Sequence, residues 1–226
     1  MNEKVLKPIG GLRGGSVVTQ QSAVLRDTYR LLSATLAFSA LVAAGTAALK
    51  LPYPGLLLTL GGYFGLLFLT TYLRNSAWGL GAVFALTGFM GYTLGPILGA
   101  YLALPGGSSI VMLAMGATAA IFLGVSAYAR TEQAFDMLRY STFLTVGILT
   151  AFALGLGAIF FDLPALSLAV SGMFILLMTG LIIFETQNIV RGGETNYIMA
   201  TVTLFVSIYN LFASFLHLLG FAGDEA

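Results

Sequence analysis

The 226-residue sequence contains no cysteine, a single histidine and only 8% charged residues. Without thiols there are no disulfides, no cysteine nucleophile and no thiolate site for zinc or iron-sulfur clusters. One histidine cannot build a His-Glu-x-x-His zinc site, and neither a Gly-x-Ser-x-Gly elbow nor a Walker phosphate loop occurs. The 10 Lys and Arg and 9 Asp and Glu give a net charge of +1 and form no basic or acidic block, so nothing recruits nucleic acid. An ordinary soluble domain is about one quarter charged. This chain has too few charges to cover a water-facing surface. What it has instead is hydrocarbon: 58% of its residues are hydrophobic, and the mean hydropathy is +0.94. The composition is that of a polytopic protein solvated by the lipid bilayer.

A membrane-spanning helix needs about 20 mostly apolar residues, because the hydrocarbon is about 30 Å thick and each residue rises about 1.5 Å. Seven runs satisfy this, over Thr28–Leu49, Gly55–Leu73, Trp78–Leu102, Ser109–Ala129, Tyr140–Phe161, Pro164–Glu185 and Tyr197–Phe221. Short turns rich in Pro, Gly and Asn separate them, such as Leu51-Pro52-Tyr53-Pro54-Gly55 and Arg191-Gly192-Gly193. The runs are apolar all round, not alternating, which excludes a β-barrel. The fold expected is an all-α bundle of seven transmembrane helices over residues 28–221. It lies between a flexible N-terminal tail, 1–27, and a short C-terminal tail, 222–226. The first tail is Gly- and Gln-rich and lacks the apolar core of a signal peptide.

Cation placement gives an orientation. Lys4, Lys7, Arg13, Arg26, Arg30, Arg74, Arg130, Arg139 and Arg191 fall on one side of such a bundle and only Lys50 on the other. The positive-inside bias then puts the N-terminus in the cytoplasm and, with seven spans, the C-terminus outside.

Small and polar residues within the runs mark contact faces, since lipid gives helices no hydrophobic reason to associate. In the third run Gly88, Gly91, Gly95 and Gly99 lie on one broad face, as a packing seam or a glycine-lined ion passage. In the seventh, Thr203, Ser207, Asn210, Ser214 and His217 follow at spacings of 4, 3, 4 and 3 and form one polar stripe. That stripe places the last helix in the middle of the bundle, bonded to its neighbours or wetting a cavity. Glu185 closes the sixth run, and Arg74 and Arg191 lie on its side of the membrane as possible ion partners. The plainer alternative is an interfacial carboxylate reaching into the headgroups.

Ser171 with His217 is the one intramembrane pair with the chemistry of an acyl-transfer dyad. Counted from the outer ends of their runs they lie about 11 Å and about 6 Å deep. Ala169 occupies the place where such a motif wants glycine. No enzyme is expected, and no cofactor is called for.

Several runs together resemble the Bax inhibitor-1 (TMBIM) family: Phe184-Glu185-Thr186-Gln187-Asn188-Ile189, Gly192-Gly193-Glu194-Thr195-Asn196-Tyr197-Ile198, and Val206-Ser207-Ile208-Tyr209-Asn210-Leu211-Phe212. The likeness extends to Leu31-Leu32-Ser33, Gly91-Tyr92 with Leu94-Gly95-Pro96, and Leu163-Pro164-Ala165-Leu166, and covers nearly the whole chain after the tail. The resemblance implies a seven-helix bundle with a central last helix. The bacterial members it is most similar to imply binding of the membrane protease FtsH and its associated complex in the inner membrane. There the protein would be an inhibitor and, through its tail, a slow substrate. The alternative it implies is a pH-sensitive leak for calcium or other cations, built in the family on a pair of aspartates near an arginine of the second helix. Those positions match Glu185, Ser207 and, approximately, Arg74. Ser207 is not a carboxylate, so the coupled titration of two neighbouring acids is missing.

Overall fold

The computed structural model describes the backbone of residues 11–224 and the side chains of residues 20–221; residues 1–10 and 225–226 lie outside the described residues. All regular structure among the described residues is helical: α1 Gly11–Ala48, α2 Leu56–Leu73, α3 Trp78–Leu102, α4 Gly107–Tyr128, α5 Ser141–Phe160, α6 Pro164–Val190 and α7 Tyr197–Asp224. A single 3-10 turn, Met137–Tyr140, leads into α5. Seven of these segments are long and apolar enough to cross a membrane.

Local chemistry sets the helix ends. Pro164 opens α6 at a position whose N–H has no partner within the helix. Gly192 stops the same helix at φ 77°, a left-handed conformation that favours glycine. The amides of Gly192 and Gly193 then close onto the carbonyls of Ile189 and Asn188.

Three ends differ from the sequence expectation by three residues or more. The helix α1 begins at Gly11, so residues 11–27, expected as flexible tail, are helical in backbone. Within it, Gln20–Ala48 is long and apolar enough to cross a membrane. Hydropathy marks where lipid stops, whereas the i to i−4 hydrogen-bond ladder continues until a breaker ends it, and no proline interrupts residues 11–27. For the same reason α6 continues past Glu185 to Val190 and α7 past Phe221 to Asp224.

The interior is shared by α7 and α3. The last helix packs against α1, α3, α4 and α6, while α3 packs against α1, α2, α4 and α7. At the periphery α2 leans on α3 and meets α5 through an edge-to-face contact of Phe64 with Phe152 at 5.8 Å. The shared core includes Leu32, Leu86, Ile182, Leu204, Phe205 and Leu211. Large side chains such as Leu57, Phe68 and Leu176 stay exposed on the outer faces, as lipid solvation permits.

Glycines set the α1–α3 distance. A Cβ on Gly91 would strike the carbonyl of Ser39, and one on Gly95 would strike Thr46 and the carbonyl of Ala43. At Gly88 it would stand 2.7 Å from the Phe38 ring, whereas at Gly99 it would meet only the Cα of Ala47 at 4.0 Å. The third and first helices approach backbone to backbone over two turns, and the face carrying Gly88, Gly91 and Gly95 is filled by α1.

Candidate functional site at the cation-rich end

Because α6 runs on to Val190, Glu185 is an interior residue of the helix, only 4% exposed. Its Oε1 is buried without a hydrogen-bond partner among the described residues. Neither expected cation pairs with it. The Arg191 guanidinium is engaged with Asp136 at 2.7 Å, and Asp136 also holds Arg139 at 3.1 Å. Arg74 caps the C-terminus of α2 and makes no ion pair among the described residues. Four other buried oxygens in the same end of the bundle also lack a partner: Thr28 Oγ1 and Tyr29 Oη on α1, Ser126 Oγ on α4 and Thr186 Oγ1 on α6. No cluster of three or more His, Cys, Asp or Glu gathers among the described residues.

The residues following Glu185 tie this end of the molecule together. Gln187, 1% exposed, accepts the amide of Met137 at 2.9 Å and donates to the carbonyl of Phe135 at 2.8 Å. One side-chain amide thus satisfies both backbone groups flanking Asp136, in the α4–α5 connection. Asn196 acts in the same way one loop further on. Its Oδ1 caps α7 by accepting the amides of Ile198 and Met199 at 3.0 and 3.1 Å. Its Nδ2 donates to the carbonyl of Arg74 at 3.0 Å and to Asn75 Oδ1 at 2.9 Å, fixing the α2–α3 connection. Arg130 lies 4.9 Å over the Tyr29 ring and links α4 to α1. The α6–α7 junction is therefore the hub to which the other loops of the cation-rich end attach. Neither Gln187 nor Asn196 stands out by periodicity. An Asn just before an apolar run is the signal for the second; nothing local marks the first.

The α7 stripe serves mostly its own helix. Ser207 is fully buried and donates to the carbonyl of Thr203 at 2.8 Å, and Asn210 donates to that of Val206 at 2.8 Å. Asn210 also lines a cavity of about 280 Å³ beside Tyr63, Thr93 and Tyr209, where Thr93 and Tyr209 share a hydroxyl bond of 3.3 Å. Ser214 is buried. Only at the far end does the stripe bond across helices: His217 Nδ1 lies 2.9 Å from Ser171 Oγ on α6. The unequal depths expected for this pair do not hold, because α7 extends to Asp224 and both residues then sit seven positions from the ends of their helices. Ser171 Oγ also lies 3.1 Å from the carbonyl of Ser167. With the proton on Nδ1 the imidazole donates to Oγ and the hydroxyl donates to Ser167, so both bonds are satisfied. Among the described residues no carboxylate bonds the ring. The bond ties α6 to α7 at the end of the bundle away from the cations.

Fold and site together define a seven-helix integral membrane bundle whose α6–α7 junction gathers the cation-rich loops beside a buried carboxylate. The chain belongs to the Bax inhibitor-1 family: the family model described as Inhibitor of apoptosis-promoting Bax1 matches residues 21–224. It is 51% identical over 202 residues to the modulator of FtsH protease YccA of Escherichia coli, covering 89% of this chain and 91% of that one. It is 51% identical over 213 residues to an uncharacterized protein of Pseudomonas aeruginosa, covering 93% and 96% of the two chains. With an uncharacterized membrane protein of Vibrio cholerae it shares 40% identity over 208 residues, covering 91% and 92%.

Proposed function

We propose that this protein resides in the bacterial inner membrane with its N-terminus in the cytoplasm and there binds and restrains the FtsH protease. The observation that carries this is the 51% identity to a protein named as a modulator of that protease, over 89% of the chain. Likeness on that scale extends over most of the chain and is not confined to one motif. The N-terminal segment, with Gly10, Gly11, Gly14 and Gly15 in its sequence, has the composition of a chain that a pulling ATPase could grip. A chain gripped there and held by a stable bundle is degraded slowly and occupies the enzyme meanwhile. Inhibition and slow proteolysis are then two aspects of one complex.

The test is affinity capture from detergent-solubilised membranes. FtsH and its associated membrane complex should co-purify with the tagged chain, and the purified chain should slow degradation of another membrane substrate by purified FtsH. Recovery of the chain alone from membranes rich in FtsH, with no effect on degradation, would overturn the proposal.

A second function, a pH-sensitive leak for calcium or other cations, is favoured by one observation, the unpartnered buried oxygen of Glu185. It ranks below the first because the second acid is replaced by Ser207, whose hydroxyl is already committed to Thr203.

A further inference from the structure

At the end of the bundle away from the cations, α1 and α4 stand apart and leave a cleft of about 840 Å³ between them, with α3 and α7 at its back. Its α1 wall runs from Leu36 to Ala48 and is made largely of alanine, with Ala40, Ala44 and Ala48 exposed along the rim. Met115 and Ala119 form the exposed rim on α4. The floor is α7, through Phe205, Ile208 and Phe212. At this cleft the central helix is reachable sideways from the lipid.

The dimensions select the occupant. Twelve residue steps from Leu36 to Ala48 make the cleft about 18 Å deep, a little more than half of a hydrocarbon layer about 30 Å thick. Over that depth its volume of about 840 Å³ is bounded almost wholly by alkyl and aromatic side chains. Hydrocarbon chains, whose carbons pack about 4 Å apart, fit it. Of the hydroxyls in the lining, Thr118 donates to the carbonyl of Ala114 at 2.7 Å and Tyr209 bonds Thr93 at 3.3 Å, while Ser39 sits buried in the α1 wall. The cleft therefore offers an entering molecule chiefly apolar contact, the Ser39 hydroxyl being the one side-chain hydroxyl of its lining not held by another residue among those described. At its outer end, two residues beyond Ala48, stands Lys50, exposed, the one cation on that side of the bundle and without an ion pair among the described residues. An ammonium at the headgroup level above a hydrocarbon slot of one leaflet's depth matches the two ends of a phospholipid.

We propose that this cleft is a binding site for one phospholipid of the outer leaflet, its acyl chain against α7 and its phosphate at Lys50. A bound lipid differs from the general lipid shell by touching the inner helix. The site is independent of the protease reading, since it concerns the opposite end of the molecule.

The test uses the full chain in vesicles of phosphatidylethanolamine and phosphatidylglycerol doped with phosphatidylglycerol bearing a photoreactive acyl chain. Labelling should concentrate on α7 between Ile208 and Phe212 as well as on the open faces of α2 at Leu57 and Phe68. Ala44→Phe, which narrows the slot, should lower the α7 label about tenfold, as loss of contact for about two methylenes implies, and leave α2 unchanged. Lys50→Gln should lower it about fivefold. Native mass spectrometry of the extracted protein should show one retained phospholipid, lost in Ala44→Phe. Label confined to α2 and the other outer faces in the parent protein overturns the proposal, as does an α7 label that neither substitution changes. An unlabelled α7 with a chain-to-chain cross-link from the rim would assign the cleft to a second copy instead, and equally overturns it.

Discussion

Gln187 and Met137, fifty positions apart, are joined by a 2.9 Å hydrogen bond from a backbone amide to a fully buried side-chain oxygen. Through this bond and its companion to Phe135, the end of α6 holds the α4–α5 connection from the inside. The ion pair of Arg191 with Asp136 lies on the outside of the same loop, with the Arg191 side chain 48% exposed.

The buried amide should outweigh the exposed ion pair. Gln187→Met leaves one amide and one carbonyl without partners and should cost about 1–3 kcal/mol. Arg191→Gln should cost at most about 1 kcal/mol, since exposed pairs are solvated when broken. Thermal unfolding of both variants in detergent checks the order, and a larger loss for Arg191→Gln would contradict it.

The α1–α3 seam predicts a graded glycine series. Gly95→Ala should destabilise by about 1–3 kcal/mol, because the new methyl meets Thr46 and a backbone carbonyl that cannot yield without separating the helices. Gly99→Ala, with only the Cα of Ala47 at 4.0 Å, should stay within about 0.5 kcal/mol of the parent. Equal behaviour of the two variants in the same unfolding assay would count against the seam.

Glu185 separates the two functions. If the protein is a protease modulator, calcium flux into liposomes should match the empty-liposome background for both the parent and Glu185→Gln at every pH tried. If it is a leak, the parent should conduct with a proton dependence that Glu185→Gln changes, and Ser207→Asp should steepen that dependence by coupling two titrations. The silent outcome is expected.

Topology is tested by reporter fusions. A fusion after Ala226 should report the periplasmic side, and one in the loop at Glu132 should report the cytoplasmic side, following the cation bias. Activity on the same side for both would remove the proposed orientation.

The N-terminal segment should set turnover. Deleting residues 2 to 19 leaves intact Gln20–Ala48, which is long and apolar enough to cross a membrane. In cells with active FtsH the truncated chain should have a longer half-life and inhibit degradation of other substrates more strongly. An unchanged half-life would dissociate the segment from proteolysis.

The sequence by itself determined the number, place and type of the helices. Hydrocarbon thickness is a one-dimensional requirement, so a run of apolar residues is readable without knowing its neighbours; Trp78–Leu102 coincides with α3 at both ends. Ends in water were less legible, since a helix outruns the lipid until a breaker stops it, and that alone moved Glu185 from the end of α6 into its interior. The identity of contacts was decided only by the tertiary structure. Arg191 meets Asp136 across 55 positions, leaving Glu185 without it, and Ser171 meets His217 across 46. Such pairings depend on where each helix starts, how it is rotated and which helices it packs against. Periodicity along one helix shows that a face is polar, but packing in three dimensions determines what that face meets.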